Sequence, residues 1–284
     1  MNKILAAIDG SSYAASVCDH AAWLAIRLSS EVEIIHVINR SDQPNASHDL
    51  SGSIGVGARS TLLDELSELD NKRAKIAMEH GRELLQDAKL HIEKAGVEQV
   101  SVVLRHDELS DTLNDLETYA NAIVIGKRGQ STDFATMHIG SSLERVARSS
   151  NTPMLVASRA FKPINKALIA YDGGPSCNRA INMLANNEGF ADIEVELLYV
   201  GKPAPVRDKL IDKAVVQLQK SGYTVQSTSK DGTVEKAIAE HVESNDIDLL
   251  FMGAYGHSRI RNMLIGSTTT EMLRTCLVPV VLFR

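Results

Sequence analysis

Two glycine-rich stretches carry the residues best suited to chemistry. One is GKRGQSTDFATMHIGSS, Gly126 to Ser142, and the other is GAYGHSRIRNMLIGSTTT, Gly253 to Thr270. Each follows an apolar run of strand character. Each ends in glycine and hydroxyl residues, Gly140-Ser141-Ser142 and Gly266-Ser267-Thr268. Glycine lets backbone turn and lets a ligand approach closely. A helix that starts at such a Gly-Ser step offers free N–H groups and the positive end of its dipole, a setting suited to an anion and above all to phosphate. Ser267 and Thr268 add hydroxyl donors, and His257, Arg259 and Arg261 add positive charge in the gap. The competing reading is structural: the glycines turn the chain and Ser267 caps a helix. Asp9 and Asp172 each close an apolar strand as Asp-Gly, which suits either ligand contact or an ordinary turn in which Asp bonds its own backbone.

Other chemistries find little support. His36, His91, His106, His138 and His257 fall on different segments, and no histidine or cysteine spacing suits a metal. Asp231, Glu235 and Glu240 read as a solvated face rather than a catalytic pair. Cys18, Cys177 and Cys276 form no CxxC motif; a reducing, cytoplasmic setting fits, with Cys18 and Cys177 packing as small apolar residues. The net charge of −6 argues against general nucleic-acid binding, and the aromatic content of 4% argues against base stacking. No apolar run reaches the roughly 20 residues that span a bilayer, and the N-terminus turns acidic too early for a signal peptide.

The elements that must position these loops occur twice. KILAAIDGSS at Lys3 returns as KALIAYDGGP at Lys166, VEIIHVIN at Val32 as VELLYVGK at Val195, and NAIVIGKRG at Asn121 as DLLFMGAYG at Asp248. Asp9 to Val37 and Asp172 to Val200 both span 28 positions, but Val37 to Gly126 spans 89 against 53 for Val200 to Gly253. The first half therefore holds an insertion, assigned to 39–75, that begins in a Ser-, Gly- and Asn-rich loop. The domains are expected at 1–160 and 164–284. Near-continuous apolar strands alternate with helices, as in a parallel sheet covered on both faces. Strands are expected near 2–9, 32–38, 99–105, 121–126 and 153–158, then 166–172, 193–200, 223–229, 247–253 and 279–283. The long helix is expected near 61–95. The fold class is α/β, with two doubly wound five-stranded parallel sheets.

These residues resemble the universal stress protein family. Its signature, Gly-x2-Gly-x9-Gly-(Ser/Thr), is met in full by Gly253, Gly256 and Gly266-Ser267. The resemblance covers both halves and implies strand order 3-2-1-4-5 and binding of ATP or AMP, with magnesium as an option. It implies Asp172 on the adenine or ribose side, Val200 meeting the adenine through its backbone, and the loop residues Gly253, Gly256, His257, Arg259, Gly266, Ser267 and Thr268 around the phosphates. In the first half Asp9, Val37, Gly126, Gly129, Gly140, Ser141 and Ser142 line up. There the gap is ten residues, not nine, and holds Asp133 and Phe134, so charge and spacing favour the second half as the nucleotide site. Lys127 and Arg128 are candidates for positive charge in the first half. The resemblance also implies pairing of the halves through last strands 153–158 and 279–284, with a homodimer left open. A stress-response regulator that binds an adenine nucleotide is the leading expectation. A slow ATPase, or an interaction protein whose cleft takes another small molecule or none, stands beside it.

Overall fold

The computed structural model describes residues 2–38, 56–129, 140–202, 204–254 and 266–284, with backbone alone for 56–64. The elements run β1 (Lys3–Ala7), α1 (Ala14–Leu28), β2 (Glu31–Val37), α2 (Val56–Lys94), β3 (Val100–Arg105), α3 (Leu109–Leu116), β4 (Ala120–Gly126), α4 (Ser141–Ser149) and β5 (Met154–Ala157). The second half repeats this as β6 (Lys166–Ala170), α5 (Pro175–Ala185), β7 (Glu194–Val200), α6 (Pro205–Lys220), β8 (Val225–Lys230), α7 (Val234–Ser244), β9 (Leu249–Gly253), α8 (Ser267–Thr275) and β10 (Val280–Phe283). Short 3-10 turns at Glu117–Tyr119 and Glu188–Phe190 were not expected. The long helix begins at Val56, inside the stretch read as loop. Gly57 in its first turn costs only about 1 kcal/mol relative to Ala, which the rest of a 39-residue helix outweighs.

All ten strands form one sheet, in the order β3-β2-β1-β4-β5-β10-β9-β6-β7-β8. Each half thus has the expected order 3-2-1-4-5 and is parallel throughout. The halves join through the last strands: β10 pairs antiparallel with β5, Val281 opposite Leu155. Side chains alternate across the sheet because successive residues of a strand point to opposite faces. Ile4, Ala6 and Ile8 enter one core with α1, α2, α5 and α6; Leu5 and Ala7 enter the other with α3, α4, α7 and α8. Both cores run across both halves. Each fully buried Leu or Ile in them contributes roughly 1.5–3 kcal/mol.

A second junction lies beside the strands. Arg27 sits 5.3 Å above the Trp23 ring and 5.9 Å above Phe190, and those two rings meet edge-to-face at 5.8 Å. Its guanidinium donates to the Gly189 carbonyl at 2.6 Å and to both Asp192 oxygens. Lys127 also belongs here. Its Nζ donates to the Cys276 carbonyl and the residue is 9% exposed, so it bridges the halves instead of lending charge to the cleft. Burial lowers its pKa from the ordinary lysine value.

The cysteines are buried free thiols, and burial pushes Cys18 and Cys177 up to about 12, which keeps them unreactive. Among the described residues, no helix is long and apolar enough to cross a membrane.

Candidate functional site

The strand order decides where a ligand can sit. β1 has β2 on one side and β4 on the other; β6 likewise lies between β7 and β9. The crossovers depart in opposite directions from these strands, which leaves a crevice beyond their carboxyl ends. Asp9 and Val37 stand at the rim of the first crevice, and Asp172 and Val200 at the rim of the second. Gly126 and Gly253 end the adjoining strands β4 and β9.

In the first half these residues line one cavity of about 650 Å³. Asp9, Val37, Gly126, Gly129, Gly140, Ser141 and Ser142 all contribute to its wall, with Tyr13, Arg128 and Arg145. That volume is within the usual range for small-molecule sites. The glycines are needed for space. A Cβ on Gly129 would stand 2.9 Å from Asp9 Oδ2, and one on Gly126 would stand 2.9 Å from Tyr13 Cβ. The long helix α2 covers one side through Ala77 and His80. His36 donates through Nδ1 to the Ile8 carbonyl at 3.0 Å and packs beneath α2 at Gly81. Arg145 donates to Glu108 at the mouth. Asp133 and Phe134 lie outside the described residues.

The second half repeats the frame. Gly266 N–H donates to the Ala254 carbonyl at 3.2 Å, as Gly140 N–H does to the Lys127 carbonyl at 3.3 Å, and each bond closes a loop onto its strand. Gly266 and Gly140 are the N-cap residues of α8 and α4, and neither helix start has a side-chain cap. Ser267 is therefore the first helical residue, not the cap that the structural reading assigned to it. An α-helix leaves its first N–H groups without intrahelical partners, so both starts can accept an anion. Thr269 Oγ1 donates to the Gly253 carbonyl at 2.9 Å and anchors the first turn of α8 to β9. Gly256, His257 and Arg259 lie outside the described residues.

Three candidate site residues make bonds within the chain. Asp172 Oδ1 accepts from Gly174 N–H at 2.7 Å, and Asp9 Oδ1 accepts from Ser11 N–H at 3.1 Å. Each Asp thus makes the local turn bond, while Asp9 also faces the cavity. Thr268, expected as a phosphate donor, gives its hydroxyl to Glu235 Oε1 at 2.6 Å. That hydrogen bond holds the Glu235 carboxyl below its ordinary value. Glu235 is therefore no merely solvated residue: it faces the first turn of α8, as Glu108 faces Arg145 of α4. The repeat holds the clue, since both acids lie at the start of the helix that precedes the glycine strand.

Beneath the second crevice lies a buried charge cluster. Glu196, 6% exposed, accepts from Lys166 Nζ and His241 Nε2, each at 2.5 Å. In the first half Glu33 accepts from Lys3 at 2.8 Å and from Ser101 at 3.1 Å. Both Lys-Glu pairs recur 163 positions apart (3 to 166 and 33 to 196), a signal visible in the repeat but not read from it.

Comparison with known proteins accords with this frame. The sequence model described as the universal stress protein family matches residues 1–158 and again 163–284. A universal stress protein of Synechocystis, Slr1230, is 38% identical over 287 residues and covers 100% of both chains. YxiE of Bacillus subtilis, also called a universal stress protein, is 30% identical over 156 residues, 55% of this chain and 97% of its own. Among solved structures, a universal stress protein from Archaeoglobus fulgidus superimposes with a TM-score of 0.72 over 99% of this chain and 98% of its own, at 21% identity.

Proposed function

The chain belongs to the universal stress protein family, and from that premise we propose that it binds an adenine nucleotide, ATP or AMP, mainly in the crevice of its second half. The observation that carries the reading is the start of α8. The N–H groups of Ser267 and Thr268, at a helix start with no side-chain cap, stand at the carboxyl edge of β9, next to β6 in the sheet. Phosphate suits that end of a helix, and the base suits the far wall at Val200. Gly256, His257 and Arg259 complete this proposed site from the sequence signature. Magnesium, where present, would neutralise phosphate charge next to Glu235.

The bound nucleotide acts as a regulatory ligand that biases conformation or partner choice. The protein's own groups bind and orient it; the proposal assigns none of them as a general base. A reducing cytoplasm suits the three buried thiols.

A second reading rests on a separate observation: the described cavity of about 650 Å³ belongs to the first half. Its lining fits a small ligand by volume and by the space its glycines leave. Calorimetric titration of ATP and AMP into the wild type, Gly266→Asp and Gly140→Asp separates the two. Loss only in Gly266→Asp supports the second-half site. Loss only in Gly140→Asp moves the site to the first half.

A further inference from the structure

The amino-terminal half of α2 leaves exposed a surface that the nucleotide reading does not use. The helix is 39 residues, about 58 Å at 1.5 Å per residue. Its carboxyl half packs on the core through Gly81, Leu85, Ala88 and Ile92. From Glu65 through His80, by contrast, no residue is buried.

That stretch still carries large apolar side chains. Leu69 is 49% exposed and Ile76 is 65% exposed. They lie seven residues apart, so they share a stripe, and half-buried Leu66 borders it. The stripe is not the core face. Ile76 and Leu85 are nine positions apart, and at about 100° per residue they point in opposite directions. Leu62, Leu66, Leu69 and Ile76 are spaced 4-3-7 in the sequence, the pattern of a two-helix seam in which one position, Arg73, is charged.

The charges select the occupant. Glu65, Glu68 and Asp70 precede Asn71; Lys72, Arg73 and Lys75 follow it. All six side chains are exposed or half-exposed; within the chain Arg73 reaches Asp70 only at 3.9 Å. Laid antiparallel on itself, this segment puts acid against base on both sides of a two-fold axis. Laid parallel, it puts acid on acid and base on base. A surface complementary to its own reverse fits an isologous dimer. We propose that the exposed half of α2 docks antiparallel on the same segment of a second copy of this chain, with Leu66, Leu69 and Ile76 in the seam. The proposal is independent of which cleft holds a ligand.

Sedimentation of the full chain over a micromolar concentration series tests it. The wild type should move from its monomer mass of 30.9 kDa toward twice that value. Lys72→Glu/Arg73→Glu/Lys75→Glu should weaken association at least about tenfold, as should Glu65→Lys/Glu68→Lys/Asp70→Lys. An equimolar mixture of the two variants should associate more tightly than either alone, because each supplies the charges the other lacks. Leu69→Asn/Ile76→Asn should weaken association without lowering the unfolding temperature measured at concentrations where both proteins are monomeric, since both side chains are exposed. A wild type that stays at 30.9 kDa throughout overturns the proposal. So does a dimer whose affinity ignores both charge reversals.

Discussion

Replacing Glu235 with Gln should tighten metal-free nucleotide binding. The Glu235 carboxylate lies 2.6 Å from Thr268 Oγ1, at the first turn of α8. An anion on that turn would sit within hydrogen-bond reach of Thr268, which puts it roughly 5 Å from the carboxylate charge. Two like charges at about 5 Å and an effective dielectric near 20 repel by about 3 kcal/mol. Glu235 is half-buried, so solvent and salt reduce this to about 1.4 kcal/mol, or tenfold in affinity. The Thr268 hydrogen bond holds the Glu235 carboxyl below its ordinary value, so the charge is fully present at neutral pH. The amide of Gln keeps an oxygen to accept the Thr268 proton, so the turn itself is preserved. Calorimetry with AMP and ATP in chelator at low salt should show the gain. Magnesium should shrink it, because the cation neutralises the phosphates. Affinity in chelator that is unchanged or weaker in Glu235→Gln refutes the placement of the phosphates on this turn.

Other predictions follow from the same geometry. Glu196→Gln should destabilise the fold by about 3 kcal/mol in urea unfolding, since it leaves buried His241 and half-buried Lys166 without their acid. Burial raises the Glu196 carboxyl, but hydrogen bonds and charge from Lys166 and His241 outweigh this and hold it below its ordinary value. A lowered carboxylate stabilises above its unfolded pKa, about 4.3, and that stability is lost as pH falls through the folded pKa. Wild type should therefore lose stability faster than Glu196→Gln below about pH 4.3; parallel acid-unfolding curves contradict this. Gly189→Ala sets a Cβ 1.9 Å from the Arg27 carbonyl oxygen and should cost about 2–3 kcal/mol in urea unfolding. Gly129→Val, with its first carbon 2.9 Å from Asp9 Oδ2, should close the first-half cavity and leave second-half nucleotide affinity unchanged by calorimetry.

The frame was legible because duplication printed it twice. Apolar runs such as AIVIG and LLFMG, alternating with helical segments, read as buried parallel strands, and the paired Asp-Gly and Gly-Ser steps marked their carboxyl ends. What stayed hidden depends on contacts between distant segments. Lys127 beside a glycine loop looked like a cleft cation, yet its Nζ reaches Cys276 in the other half. Nothing local to Trp23 and Arg27 in the sequence shows Phe190 and Asp192, which they meet across the junction. Glu235 seemed solvated because its partner, Thr268, is 33 positions away. Local pattern reports strands and turns; side-chain partners across the sheet need the fold.

ATP is titrated by calorimetry into the wild-type chain and into Gly266→Asp, with unfolding monitored in parallel to confirm that both are folded. Saturable binding in the wild type should disappear in Gly266→Asp, where a carboxylate occupies the N-cap of α8. No saturable binding in the wild type, or equal binding in a folded Gly266→Asp, contradicts the second-half site.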